Sequence, residues 1–179
     1  MELAQAYRFS RRDYYQMLEA GILTEDSRVE LIEGEILALA AQNKRHAYCT
    51  TRLNRILVNR FGEGYHVRVQ LPIIVDEYSE PEPDFAVVTE EQLVKSPEHP
   101  TQAVLLVEVS DTSLAFDRIK KARLYARAEF PEYWVVNLRE RSLIVHTHPG
   151  ANGYEHVATF LEDDPASPLD LAEVLLPES

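Results

Sequence analysis

Two carboxylates flank apolar runs in the middle of the chain: Asp84 stands immediately before "FAVV" and Glu108 falls towards the end of "LLVEV". Carboxylates are hard oxygen donors, and Mg²⁺ is commonly held by one or two of them, with water and phosphate oxygens completing its shell. Neighbouring strands lie about 4.8 Å apart, so the two side chains can share one ion if the two runs pair. A cation follows: Lys121 comes four residues after Asp117 and shares a helical face with it. Beside two carboxylates that hold a metal, a lysine can orient an attacking water or stabilise charge on a phosphoryl-transfer transition state. Plainer readings stand beside these. Asp84 and Glu108 also suit solvated strand ends, and Lys120, Lys121, Arg123 and Arg127 suit the polar face of an amphipathic helix.

The elements that must position these residues are legible in outline. "SRRDYYQMLEAG" carries Ser10 and Asp13 at capping-box spacing and ends at Gly21, which predicts a short helix. "SRVELIEGEILALA" is two apolar-rich runs around Glu33-Gly34, a hairpin signal. In "NKRHAYCTTRLNRILVNRFGEG", Cys49, Leu53, Ile56, Leu57 and Phe61 recur at helical spacing, with Gly62 at the position of a C-terminal cap. "YHVRVQLPIIV" and "DFAVV" read as strands around the turn-forming "DEYSEPEP", and "TEEQLVKSPEHPT" as a surface excursion with a helical turn. "AVLLVEV" is a continuous apolar run, the pattern of a strand covered on both faces. "FDRIKKARLYARAEF" predicts a helix stopped by Pro131, followed by strands in "EYWVVN" and "SLIVHTH", an edge strand in "GYEHVATF" and an apolar tail that packs back. The order implies an α/β (α+β) fold with helices flanking a mixed central sheet. Strand order within the sheet is not fixed by the pattern.

Composition bounds the function. With 179 residues, 45% of them hydrophobic, the chain suits a single domain, 1–179, with its core at about 14–148 and a tail at about 161–179. The longest apolar runs fall far short of the roughly 20 residues that cross a bilayer. "MELAQAYRFSRRDYY" lacks the apolar core of a secretory signal, so a cytoplasmic location is expected. One cysteine, Cys49, excludes an internal disulfide and a Cys-based zinc site, and its helical neighbours mark a small buried hydrophobe. A net charge of −12 argues against a basic nucleic-acid coat but leaves room for a small basic cleft, and it suits carboxylates gathered around divalent metals.

In ordered sequence, "VELIEGEI", His46 at the head of the long helix, "PEPDFAVV", "LLVEVSDTS" and "DRIKKARLYARAEFPEYWVVN" resemble the Uma2 (DUF820) branch of the PD-(D/E)XK nuclease superfamily over about residues 14–148. The resemblance implies a restriction-endonuclease-like core with an N-terminal helix and hairpin. It also implies a Mg²⁺ (or Mn²⁺) dependent phosphodiesterase centre acting on DNA, with Asp84 and Glu108 as metal ligands. The superfamily's lysine ordinarily sits two residues after the strand carboxylate, where this chain has Ser110. In the Uma2 branch it looks shifted onto the following helix, which matches Lys121, with Lys120 as its alternative. Glu30 matches an early glutamate of the family and His46 its helix-opening histidine, each able to complete a metal shell or position water. Glu35 is the reserve for Glu30, and Glu33 a turn charge.

Other candidates have competing readings. His146 and His148 alternate along a strand and could bind a metal together, although no third ligand is near in sequence. Tyr125 and Trp134 read as core packing rather than base-stacking platforms. Lys44, Arg45, Arg52, Lys120 and Arg123 are the candidate basic rim for nucleic acid. A homodimer is expected if the substrate is a symmetric duplex. The competing function is an inactive nuclease fold kept as a binding or oligomerisation module. The position of Lys121 relative to Asp84 and Glu108 discriminates between the two.

Overall fold

The computed structural model describes residues 6–95 and 97–177; the first five residues of the N-terminal stretch, Ser96 of the surface excursion and the last two of the tail lie outside it. Helix α1 (Arg11–Glu19) starts at the predicted capping box, Ser10 and Asp13 bonding reciprocally. Strands β1 (Val29–Ile32) and β2 (Glu35–Ala38) form the predicted hairpin. Its turn residues Glu33 and Gly34 have φ of 52° and 82°, the left-handed pair that a two-residue hairpin requires. Gly34 has a second reason to be glycine: a Cβ there would meet Arg8 Cβ at 2.6 Å.

Helix α2 (Lys44–Phe61) is capped by Asn43 and ends at Gly62, and it buries Cys49, Leu53 and Leu57. Strands β3 (Tyr65–Val69), β4 (Phe85–Thr89), β5 (Leu105–Ser110), β6 (Glu132–Asn137), β7 (Ser142–Gly150) and β8 (Gly153–Leu161) make one six-stranded sheet in that order. All pairs are antiparallel except β5 with β6, so the sheet is mixed. A parallel pair needs a crossover, and here it runs through α4 (Leu114–Phe116), a π-helical segment (Asp117–Lys121) and α5 (Ala122–Arg127). Helix α3 (Glu90–Lys95) is the predicted helical turn.

One sheet face packs on α2 and on the tail helix α6 (Leu171–Val174), with Phe85, Val87, Val107, Trp134 and Val136 meeting Leu53, Leu57, Leu171 and Val174. The other face packs on α5, where Ala86, Leu106, Tyr133 and Val135 meet Ala122 and Tyr125. Every residue of β5 is buried, as its unbroken apolar run predicts. Glu108 and Ser110 therefore enter the interior on the α5 side, in step with Leu106.

Two expectations are corrected. The strand expected over "YHVRVQLPIIV" stops at Val69, because Gln70 turns left-handed with φ of 51° and Pro72 has no N–H to give a sheet partner. The crossover helix starts earlier than expected, is interrupted by the π segment, and ends at Arg127. Glu129 is left-handed with φ of 61°, and Phe130 precedes Pro131, a position that disfavours helical backbone.

Candidate active site

Strands β4 and β5 are antiparallel neighbours with Phe85 opposite Val107, and one step further along that register Asp84 faces Glu108. The pairing on which a shared site depends is thus present. The Val109 N–H crosses between the strands to Asp84 Oδ2 at 2.8 Å. His46, in the first turn of α2, places Nε2 3.1 Å from the same oxygen, and Gln70 Nε2 donates to Oδ1 at 3.0 Å. Burial alone would raise the Asp84 pKa, but His46, Gln70 and the Val109 amide outweigh it and hold the carboxyl below its ordinary value. Burial likewise opposes charge on His46, and Asp84 reverses it, raising the imidazole pKa.

Lys121 lies 4% exposed with Nζ 2.9 Å from Glu108 Oε1 and 3.1 Å from Glu30 Oε2. Burial disfavours its charge, yet Glu108, Glu30 and Asp117 together raise its pKa above that of free lysine. Glu108 is itself pushed well up by burial; Lys121 offsets this in part, while Asp117, Asp84 and Glu30 add to it. One ammonium is thus shared among several buried carboxylates. Glu30 also accepts the Glu82 N–H at 3.0 Å, which ties β1 to the segment leading into β4.

Ser110, standing where a superfamily lysine is ordinarily found, donates to Asp117 Oδ2 at 2.5 Å, and Ser113 donates to the same oxygen at 2.6 Å. These bonds tether the start of the π segment, from whose end Lys121 reaches Glu108. Tyr125, one turn beyond Lys121, donates its hydroxyl to Glu108 Oε1 at 3.2 Å while its ring packs edge-on against Phe130 and Tyr133. Sequence reasoning gave Tyr125 only its packing role and missed Gln70. The i,i+4 spacing from Lys121 was the available signal for the first; nothing in the sequence marked the second.

The structure therefore brings together Asp84, Glu108, Lys121, Glu30 and His46, and leaves other candidates outside. Glu35, the reserve for Glu30, is exposed and pairs with Lys120 at 2.5 Å, so neither points inward. Glu33 pairs with Arg127 across the outside of the hairpin. Cys49 is fully buried in the α2 core, its thiol pKa pushed up to about 12 by burial. His146 is buried between Tyr133 and Tyr154, whereas His148 is exposed beside His156. Backbone alternation breaks at His148, where φ is 59°, so the two histidines do not share a face. Trp134 is core, its indole N–H bonded to Glu132. Arg45 donates to the Leu138 carbonyl and Arg52 to that of Glu173, while Lys44 and Arg123 are exposed.

The site floors a cleft of about 910 Å³ walled by α1, the hairpin, the loops 39–43, 70–72 and 111–113, and Phe116 of α4. Helix α1 buries no residue; polar bonds hold it, with Arg11 and Tyr15 each 2.5 Å from the buried Glu80. Among the described residues, no group of three or more His, Cys, Asp or Glu side chains is placed to hold an ion between them. The hard oxygen donors nearest to such a role are Asp84 and Glu108, whose oxygens here accept from His46, Gln70, the Val109 amide, Lys121 and Tyr125. Two carboxylates are the complement that a Mg²⁺ site leaving most positions to water and phosphate would use. Among the described residues no helix is long and apolar enough to cross a membrane.

The chain is thus a mixed sheet between helices, with Asp84 and Glu108 facing each other at the mouth of neighbouring strands and Lys121 beside Glu108. The chain belongs to the Uma2 family, described as "Putative restriction endonuclease", whose model matches residues 11–177. It is similar in fold to a DUF820 protein from Anabaena variabilis, titled a "putative nuclease", with a TM-score of 0.69, 14% identity and 94% of each chain covered. A fainter likeness, to the type IIG restriction endonuclease BpuSI, has a TM-score of 0.40 and 20% identity over 61% of this chain and 12% of that one. No curated protein matches significantly.

Proposed function

We propose that this chain is a metal-dependent endonuclease that hydrolyses DNA phosphodiester bonds in the cleft floored by Asp84, Glu108 and Lys121. The observation that carries the reading is Lys121 Nζ at 2.9 Å from Glu108, a buried cation delivered to the strand carboxylate from the next helix. An inert module would have little reason to bury a lysine among carboxylates, since the desolvation of each ion costs several kcal/mol, roughly, before any pairing. Asp84 and Glu108 are the residues that would hold Mg²⁺ or Mn²⁺. Such an ion would neutralise phosphate oxygens and lower the pKa of a bound water.

The chain's own groups have distinct tasks in this reading. His46, Gln70 and the Val109 amide fix the rotamer of Asp84 and keep it ionised. Tyr125 fixes Glu108 from beneath. Lys121 carries a proton-rich Nζ that donates to the attacking water or to the phosphate oxygen on which charge develops. Glu30 holds Lys121 from the opposite side. The reading takes the described chain as one domain, because Leu169, Leu171, Val174 and Leu175 of the tail pack into the same core as α2.

The test is cleavage of supercoiled plasmid and single-stranded DNA with Mg²⁺ or Mn²⁺, by the wild type, Asp84→Ala and Lys121→Ala. Metal-dependent cutting by the wild type, lost in both variants, supports the assignment. No cutting by folded wild type with either metal overturns it in favour of a binding module.

A further inference from the structure

We propose that the cleft takes an unpaired strand of DNA, a single-stranded end or arm, in preference to intact duplex; this rests on the nuclease reading above and names its substrate class. The first observation is depth. Asp84, Glu108, Lys121 and Glu30 are 8%, 6%, 4% and 5% exposed. Groups so enclosed are reached more readily by the backbone of a flexible single strand than by that of a stiff duplex cylinder. Enzymes that must reach a base enclosed in a pocket act on single strands or on an extruded nucleotide, and an enclosed phosphodiester site favours a flexible strand for the same steric reason. The cleft, at about 910 Å³, is of a size to hold a nucleotide-sized group.

The second observation is charge. Among the described residues seven Asp or Glu line the cleft, against Arg28 and Lys121. Of the expected basic rim, Arg45, Arg52 and Lys120 are bonded to the Leu138 carbonyl, the Glu173 carbonyl and Glu35. Duplex DNA brings one negative charge per ~1.7 Å of axis and a single strand one per ~3.4 Å, so this wall penalises the duplex more.

The third observation is aromatic. Tyr14 and Tyr15 of α1 and Phe116 of α4 line the cleft and are half-buried. Base stacking on such rings is the sequence-tolerant device of single-strand binding, and it requires bases that are not already paired and stacked.

The test has two arms on the full chain. In the first, a fluorescein-labelled single strand, the same sequence as blunt duplex, and a duplex with one single-stranded arm are titrated with protein by fluorescence anisotropy, with Ca²⁺ in place of Mg²⁺. The single strand and the arm should bind about tenfold more tightly than the duplex. Tyr14→Leu should lose most of that preference, while Tyr14→Phe, which keeps the ring and forfeits only the hydroxyl bond to the Val29 carbonyl, should keep it. Equal affinity, tighter duplex binding, or no binding of either overturns the inference, whatever the variants do. In the second arm the same DNAs are incubated with Mn²⁺, and cuts should fall in the unpaired regions. Duplex cut as fast as single strand overturns the inference and keeps the nuclease reading. Single-strand preference in binding with no cutting of any DNA keeps the inference and overturns the nuclease reading.

Discussion

Replacing Lys121 with methionine keeps most of the side-chain volume and removes the charge from the centre of the site. In the wild type its Nζ bonds Glu108 at 2.9 Å and Glu30 at 3.1 Å, and all three side chains are between 5% and 7% exposed. Taking one partner from a buried pair costs about 3–5 kcal/mol, because the remaining charge has neither water nor a counter-ion. The molecule can recover part of this by protonating. The Glu108 pKa is already above its ordinary 4.5, and the loss of Lys121 raises it further. A carboxyl whose folded pKa is raised contributes stability that is full below 4.5 and is lost as pH rises through the folded value. The deficit of Lys121→Met should therefore be about 3–5 kcal/mol at pH 8. At pH 5 it should shrink to about 1–2 kcal/mol, at ~1.4 kcal/mol recovered per unit of pKa. Urea unfolding in EDTA, followed through the single buried tryptophan, Trp134, reads both values. A deficit below about 1 kcal/mol that does not change with pH is the behaviour of a solvated surface pair, and it would refute the buried triad.

Three further outcomes follow from the fold. His146 is buried, which lowers its pKa below 6.5; its bond to the Tyr133 carbonyl opposes the shift and Arg118 adds to it. A base with a depressed folded pKa loses stability as pH falls below 6.5, so His146→Phe should flatten the stability profile between about pH 5 and 7; an unchanged slope in urea titrations contradicts this. Gly34→Ala puts a methyl against Arg8 at a backbone φ of 82°, and a loss of more than about 1 kcal/mol is expected, read as a lower Tm. Leu53→Ala, in the α2 face of the core, should cost about 2–5 kcal/mol by chemical denaturation, and a cost under 1 would mean that α2 is not seated on the sheet.

Much of this architecture was legible because each signal was local. Ser10 and Asp13 announce α1 through a capping box, Glu33-Gly34 announces a turn that only left-handed residues can make, and the apolar run of β5 announces a strand covered on both faces. What was not legible depends on contacts between distant segments. The π segment differs from α-helix by a single residue per turn, too little for a five-residue stretch to show in its periodicity. Its Asp117 is bonded by Ser110 of another element, a contact that no local pattern shows. Gln70 reaches Asp84 only because the chain turns left-handed at the end of β3. The resemblance ranks Glu30 ahead of Glu35 where spacing cannot, since both flank the same turn; pairing with Lys120 on the outside is what removes Glu35. His146 and His148 kept their strand spacing while the backbone at His148 broke the alternation that the spacing assumed.

The central claim is that Asp84 and Glu108 form a site for a hard divalent cation. Its most direct measurement is a Mn²⁺ titration of the full chain, by calorimetry and by the electron paramagnetic resonance of free Mn²⁺, comparing the wild type with Asp84→Asn and Glu108→Gln. The account predicts saturable binding by the wild type that is lost or greatly weakened in both variants, each still folded by circular dichroism. Binding of equal strength in all three proteins, or none in the wild type, would contradict it.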